Sequence, residues 1–232
     1  MLDIFQTLAI LSPDLWQSLW LTLRLATVTA LLLVAIGVPL AWWLNTSRFR
    51  GISLIETLVS LPIVLPPTVI GFYLLILLSP QQPVGRFWLE TFGYSLTFSF
   101  AGLVIGSVFY SLPFAVQPFQ AAFRGVPPTL IEASAALGAT AMQRFWRIVV
   151  PAARRGIGVG ATLSFAHTIG EFGVVLMLGG NIPGETRVAS IALYDEAQQL
   201  NYAHAHAYAL ALLAISFLLI FAMTWLQRQE RH

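Results

Sequence analysis

No cysteine and no lysine occur among the 232 residues of this chain, and only 9% of its residues are charged. Each absence removes a class of chemistry. Without cysteine there is no disulfide and no thiolate metal site. The four histidines do not make up for it: His204 and His206 are two apart rather than one helical turn, His167 stands alone in an apolar run and His232 is terminal, so no metal is expected. Without lysine there is no Walker-A loop, because that loop needs a lysine to reach the nucleotide phosphates. What replaces charge is hydrocarbon. With 57% hydrophobic residues and a mean hydropathy of +0.78, the composition lies outside that of soluble domains.

Apolar runs from about Leu15 to Leu44, Ile52 to Leu78, Leu96 to Phe119, Gly156 to Leu178 and Ala203 to Leu226 can each cover the roughly 20 residues that a bilayer core requires. They predict an all-α integral membrane protein of about five transmembrane helices, a single domain over residues 1–232. Arg48, Arg50, Arg124, Arg144, Arg147, Arg154, Arg155, Arg228 and Arg231 fall on one side, with only Arg86 and Arg187 on the other. By the positive-inside rule the segment 124–151 and the C-terminus are cytoplasmic, and an odd number of spans places Met1 outside. No basic stretch precedes the first apolar run, so no cleavable signal is expected. The isoelectric point of 9.3 does not signal nucleic-acid binding, because the arginines sit at helix ends beside anionic lipid rather than in one patch with interleaved aromatics.

Within 124–151, the stretch Glu132-Ala133-Ser134-Ala135-Ala136-Leu137-Gly138, running on to Ile148-Val149-Val150-Pro151, is a polar, small-residue island. Thr129 to Glu132 reads as a capping box after Pro127 and Pro128, with Gly138 placed to end the helix about two turns later. So short a helix is marginal alone, and its alanine-rich face suits a groove in another protein.

The order Glu132-Ala133, Gly138, Ile148 and Pro151 resembles the cytoplasmic signature loop of binding-protein-dependent ABC importer permeases, with Ser134 for the usual second alanine and Val150 for the usual leucine. Three further blocks are similar to the molybdate branch of that family: Leu61-Pro62-Ile63-Val64-Leu65-Pro66-Pro67, Gly170-Glu171-Phe172-Gly173 and Asn181-Ile182-Pro183-Gly184-Glu185-Thr186-Arg187. Sulfate permeases resemble the chain in the same places, but Pro183-Gly184-Glu185-Thr186 looks more like the molybdate or tungstate group. The resemblance implies a type I ABC importer permease fold in the cell inner membrane. It implies a homodimer over two copies of a cytoplasmic ABC ATPase, which binds the ATP and Mg, and an external molybdate-binding protein. The coupling residues it implies are Leu130, Glu132, Ala133, Ser134, Ala136, Leu137 and Gly138.

Inside the membrane, Pro62, Pro66 and Pro67 interrupt the second span, so that segment with Thr68 and Gly71 is either a pathway wall and hinge or a packing kink. Gly156, Gly158 and Gly160 allow close helix contact in the fourth span. Ser164, Thr168 and Glu171 fall at i, i+4 and i+7, one polar face in that same span. A carboxylate at that depth should pair or face water, and Arg24 and His167 are the candidate partners. Asn181 to Arg187 reads as a type II turn, with Pro183 and Gly184 central and Arg187 free to attract an oxyanion or to pair with Glu185. The pathway or gate candidates are thus Pro66, Pro67, Thr68, Ser164, Thr168, Glu171, Asn181, Pro183, Gly184, Glu185 and Arg187. A secondary transporter or channel would leave the island without a partner and would show inverted repeats, which are absent here. An intramembrane serine protease would need a nucleophile elbow, and Ser164-Phe165-Ala166-His167 is not one.

Overall fold

The computed structural model describes residues 12–229. Met1, Arg231 and His232 lie outside them. Among the described residues the chain is helical without strands. The helices are α1 (Pro13–Thr46), α2 (Ile52–Ser60), α3 (Pro67–Leu78), α4 (Pro83–Phe92), α5 (Phe100–Arg124), α6 (Pro128–Ala136), α7 (Ala141–Arg144), α8 (Val150–Ile169), α9 (Gly173–Gly179), α10 (Ala189–Gln198) and α11 (Tyr202–Gln229). Three of them, α1, α5 and α11, are long and apolar enough to cross a membrane. Two more spans are bent pairs: Ile52–Ile63 with Pro67–Leu78 at 112°, and Ala141–Ile169 with Gly173–Gly179 at 62°. The expected five spans are there, but two are broken.

Local chemistry accounts for the breaks. In the second span, Pro62 tightens the chain into a 3-10 turn over Leu61–Ile63, and the adjacent prolines stop and restart the helix at Pro66 and Pro67. The fourth span differs from its expected form. Its helix starts well before Gly156, at Ala141, passing through one π turn at Phe145–Val149, and it ends at Ile169 with Gly170 as C-cap. Glu171 therefore lies in the unwound break, not on a continuous helical face with Ser164 and Thr168. Gly71 sits inside α3, where an added Cβ would lie 2.8 Å from the Met177 Cβ on α9.

The centre of the bundle is α1, α5 and α8 closing on Phe119, which is fully buried. Gly37 of α1 and Gly160 of α8 flank its ring, where added Cβ atoms would stand 3.1 and 2.5 Å from it, and Gly156 meets Ala122 in the same way. Small residues let the backbones approach, as helix pairs in lipid require. Gly158 faces open space.

The island folds as a knob, differently from the expected capping box. Pro127 is the N-cap of α6 and Pro128 its first residue, and no side chain caps it. Proline's fixed φ starts the helix two residues early, which draws Thr129 into the first turn and removes it from the cap position. A capping box exists one helix later, at Thr140 and Gln143. Gly138 does end α6 as expected, at φ +83, with Gly138 N–H donating to the Ala135 carbonyl (2.9 Å) and Ala139 N–H to that of Ser134 (3.0 Å). This is a Schellman stop.

The end of α10 has the same stop with the wrong residue: Leu200 takes φ +60, and Asn201 N–H donates to the Glu196 carbonyl at 2.9 Å. A side chain in that conformation costs about 1–2 kcal/mol, and Leu200 is exposed, so burial returns little. Leu200→Gly is therefore expected to stabilise the chain by about 1 kcal/mol, measured as a higher melting temperature in detergent; an unchanged or lower value would contradict the strain.

Candidate translocation cavity

The two broken spans meet at their breaks. Gly173, at the start of α9, lies against Pro67, where an added Cβ would come within 2.9 Å of the Pro67 Cβ and 3.2 Å of the Thr68 nitrogen. Beside this contact is a cavity of about 430 Å³ lined by Pro67, Thr68, Tyr110, Ala166, His167, Gly170, Glu171, Phe172 and Gly173. Non-helical backbone at membrane depth is stable only where protein or a watery cavity receives its polar groups. Here the Glu171 carbonyl accepts from Ser190 Oγ at 2.6 Å.

The Glu171 side chain is 3% exposed, and neither carboxyl oxygen has a hydrogen-bond partner among the described residues. Neither expected partner is in place. Arg24 rests over the ring of Phe100, 4.3 Å from its centroid. His167 is engaged elsewhere: its Nδ1 lies 2.9 Å from Ser111 Oγ, and its ring stacks on Phe114 at 3.8 Å. Ser107 Oγ is also buried without a partner. The Ser107 hydroxyl is the side chain placed to act on that carboxyl, and the cavity beside it is large enough to admit several waters as further donors.

The sequence candidates thus separate into groups. Pro67, Thr68 and Glu171 line the cavity, with Pro66 adjoining. Ser164 and Thr168 do not; both are buried, and Thr168 Oγ1 lies 3.1 Å from Ser111 Oγ, which ties α8 to α5. The Asn181 to Arg187 segment forms its turn, with Glu185 N–H donating to the Ile182 carbonyl (3.2 Å) and Gly184 at φ +80 beside Gln17. Arg187 pairs with Asp195, not Glu185, because α10 brings that carboxylate to it. Tyr110 and Ser107 were missed. Ser107, Tyr110 and Ser111 at i, i+3 and i+4 are a polar stripe in an apolar span, the same signal that singled out Ser164 and Thr168.

On the knob, Glu132, Ala133, Ala136, Leu137 and Gly138 are exposed, and Leu130, Leu137, Met142 and Trp146 make an uncovered apolar rim. Ser134 turns inward, its hydroxyl donating to the Ile131 carbonyl at 2.7 Å. Ile131 seats the knob on a core of Leu44, Val59, Phe123, Phe145 and Val149. That core joins α1, α2, α5 and the start of the fourth span.

Two broken spans around a cavity, with a knob on a shared core, are a fold shared with solved membrane transporters. A bacterial alginate ABC transporter, solved in complex with an alginate pentasaccharide-bound periplasmic protein, matches with a TM-score of 0.74 at 20% identity, over 96% of this chain and 81% of that one. The chain belongs to the family of binding-protein-dependent transport system inner membrane components, whose model matches residues 34–232. It is a multi-pass protein of the inner membrane. The molybdenum transport system permease protein ModB of Azotobacter vinelandii is 48% identical over 203 residues, 88% of this chain and 90% of that protein. The sulfate transport system permease protein CysT of Escherichia coli (strain K12) is 34% identical over 218 residues, 94% of this chain and 78% of that protein.

Proposed function

We propose that this chain is the membrane subunit of an ATP-driven oxyanion importer, with molybdate as its substrate. The observation that carries the reading is the meeting of two broken spans at one cavity in a chain 48% identical to a molybdenum permease. Alternating access needs backbone segments that rearrange around a fixed site, and discontinuous helices supply them. The lining offers hydroxyl and imidazole groups from Thr68, Tyr110 and His167, polar enough to pass a tetrahedral dianion without binding it tightly.

The arginine distribution puts the knob on the cytoplasmic side, with Asn181 to Arg187 at the external mouth. The segment 124–151 is the coupling element. The exposed rim of Leu130, Leu137, Met142 and Trp146 docks on a separate ATPase that holds ATP and Mg, and the core beneath Ile131 carries its movement into the spans. The permease works as a homodimer over two ATPase copies, supplied by an external binding protein. The periplasmic protein bound to the alginate transporter supports that last partner.

Tetrahedral oxyanions of one charge differ mainly in size, so the binding protein sets the choice among them. In proteoliposomes containing permease and ATPase, the binding protein loaded with molybdate or tungstate is expected to stimulate ATP hydrolysis, with sulfate giving little. Stimulation by sulfate alone would move the protein to the sulfate branch, and stimulation by none of the three would remove the oxyanion reading.

A further inference from the structure

Arg24 lies well inside α1, exposed on a face it shares with Trp16, Trp20, Thr27 and Leu31. A cation held at the centre of a bilayer costs about 3 kcal/mol on insertion scales, so an exposed one persists where it reaches a counter-charge. Among the described residues it has none. Asp195 and Glu196 are engaged by Arg187 and His204.

Centring two helices, each taken as upright, on a bilayer core of about 30 Å gives two readings of the depth of its guanidinium. With 34 residues α1 is about 51 Å long, so against a core of about 30 Å each end extends about 10 Å past the boundary. Arg24 is about 16 Å from Pro13, which puts its Cα about 6 Å inside the hydrocarbon. Phe100 is the first residue of α5, whose 25 residues span about 37 Å, so the same centring puts Phe100 about 4 Å outside that boundary. The guanidinium lies 4.3 Å from the Phe100 ring centroid. The side chain has therefore run outward from a buried Cα to headgroup depth.

We propose that Arg24, with Phe100 beneath its guanidinium and Trp20 one turn away, is a binding site for the phosphodiester of an anionic phospholipid in the leaflet at that end of α1. The planar fork of a guanidinium matches two phosphate oxygens, and stacking on Phe100 holds it in one orientation. Tryptophan on the same face sits at headgroup level, where its ring packs on the glycerol and upper acyl chain. An anionic headgroup fits better than a zwitterionic one, whose own ammonium competes for the phosphate.

The test is thermal unfolding of the full-length protein, purified in detergent with its copurifying partners, after adding phosphatidylglycerol, phosphatidylcholine or inorganic phosphate. For the wild type, phosphatidylglycerol is expected to raise the melting temperature by roughly 2 °C or more over phosphatidylcholine, and inorganic phosphate to do nothing. Arg24→Gln should erase the difference between the lipids, Arg24→Lys should keep part of it, and Arg86→Gln, at the same end of the molecule, should keep all of it. Equal stabilisation of the wild type by both lipids overturns the site, as does an undiminished difference in Arg24→Gln. An equal effect of inorganic phosphate assigns a free-anion site instead. If Arg24→Gln does not insert, Arg24→Lys is read in its place, and a shift equal to wild type overturns the proposal.

Discussion

Gly138→Pro is expected to abolish substrate uptake while membrane insertion stays normal. Gly138 holds φ +83, and its N–H donates to the Ala135 carbonyl; proline fixes φ near −65° and has no N–H. Both the turn and the bond are lost, at about 3 kcal/mol or more, which lowers the population of the correctly ended helix about 100-fold. Leu137, the most exposed apolar residue of the rim, then no longer points from a fixed place. The spans are untouched, since Gly138 has nothing packed against its Cβ position. Glu132→Lys should uncouple in a different way, reversing an exposed charge on the docking face and leaving the fold intact. ATP hydrolysis by the complex and uptake into vesicles are the measurements. Wild-type copurification of the ATPase together with unchanged uptake by both variants would remove the knob from the coupling role.

The second large effect has opposite signs for stability and transport. Glu171→Leu should raise the melting temperature and eliminate transport. A buried carboxyl that forms no hydrogen bond to protein, with the Ser107 hydroxyl close by but not bonded, costs about 1–3 kcal/mol, and an apolar residue of similar size removes that cost. For a chain of this length that corresponds to several degrees, at about 2–4 °C per kcal/mol. The same change takes the carboxyl and the water around it from the point where the two breaks meet, leaving Thr68, Tyr110 and His167 as the only polar lining of a drier, narrower path. Glu171→Gln keeps the water contacts and should transport far better than Glu171→Leu. Because Arg24 lies on Phe100 rather than on Glu171, the double change with Arg24→Gln should be additive within about 0.5 kcal/mol. A coupling well above that, or full transport by Glu171→Leu, would refute the account of the cavity.

These expectations could not all be drawn from the chain read linearly. The second span's break was legible, because a proline acts on its own backbone wherever it stands. So was the stop at Gly138, since a positive φ is a local demand that glycine answers. The capping box failed at Thr129 because two prolines compete for the same start, and the winner is a difference of local geometry. The break after Ile169 was hidden for another reason. Gly170 and Gly173 only permit it; what holds it open is Ser190, distant in sequence, donating to the Glu171 carbonyl, and Pro67 packed on Gly173. Depth alone suggested that Arg24 and Glu171 meet, but depth does not say which way a helix face turns.

Composition was enough for membrane residence, for the five apolar spans and for the lack of a Walker-A lysine, because a bilayer and a phosphate loop impose requirements on every sequence alike. The signature residues and the proline block were enough for the family and for one of the two broken helices. The pairing of the breaks, the isolation of Glu171, the inward turn of Ser134 and the match of Arg187 with Asp195 were settled by packing. In lipid the hydrophobic effect does not choose between helix faces, and small residues such as Gly37, Gly160 and Gly173 decide which backbones touch only when the helices are in place.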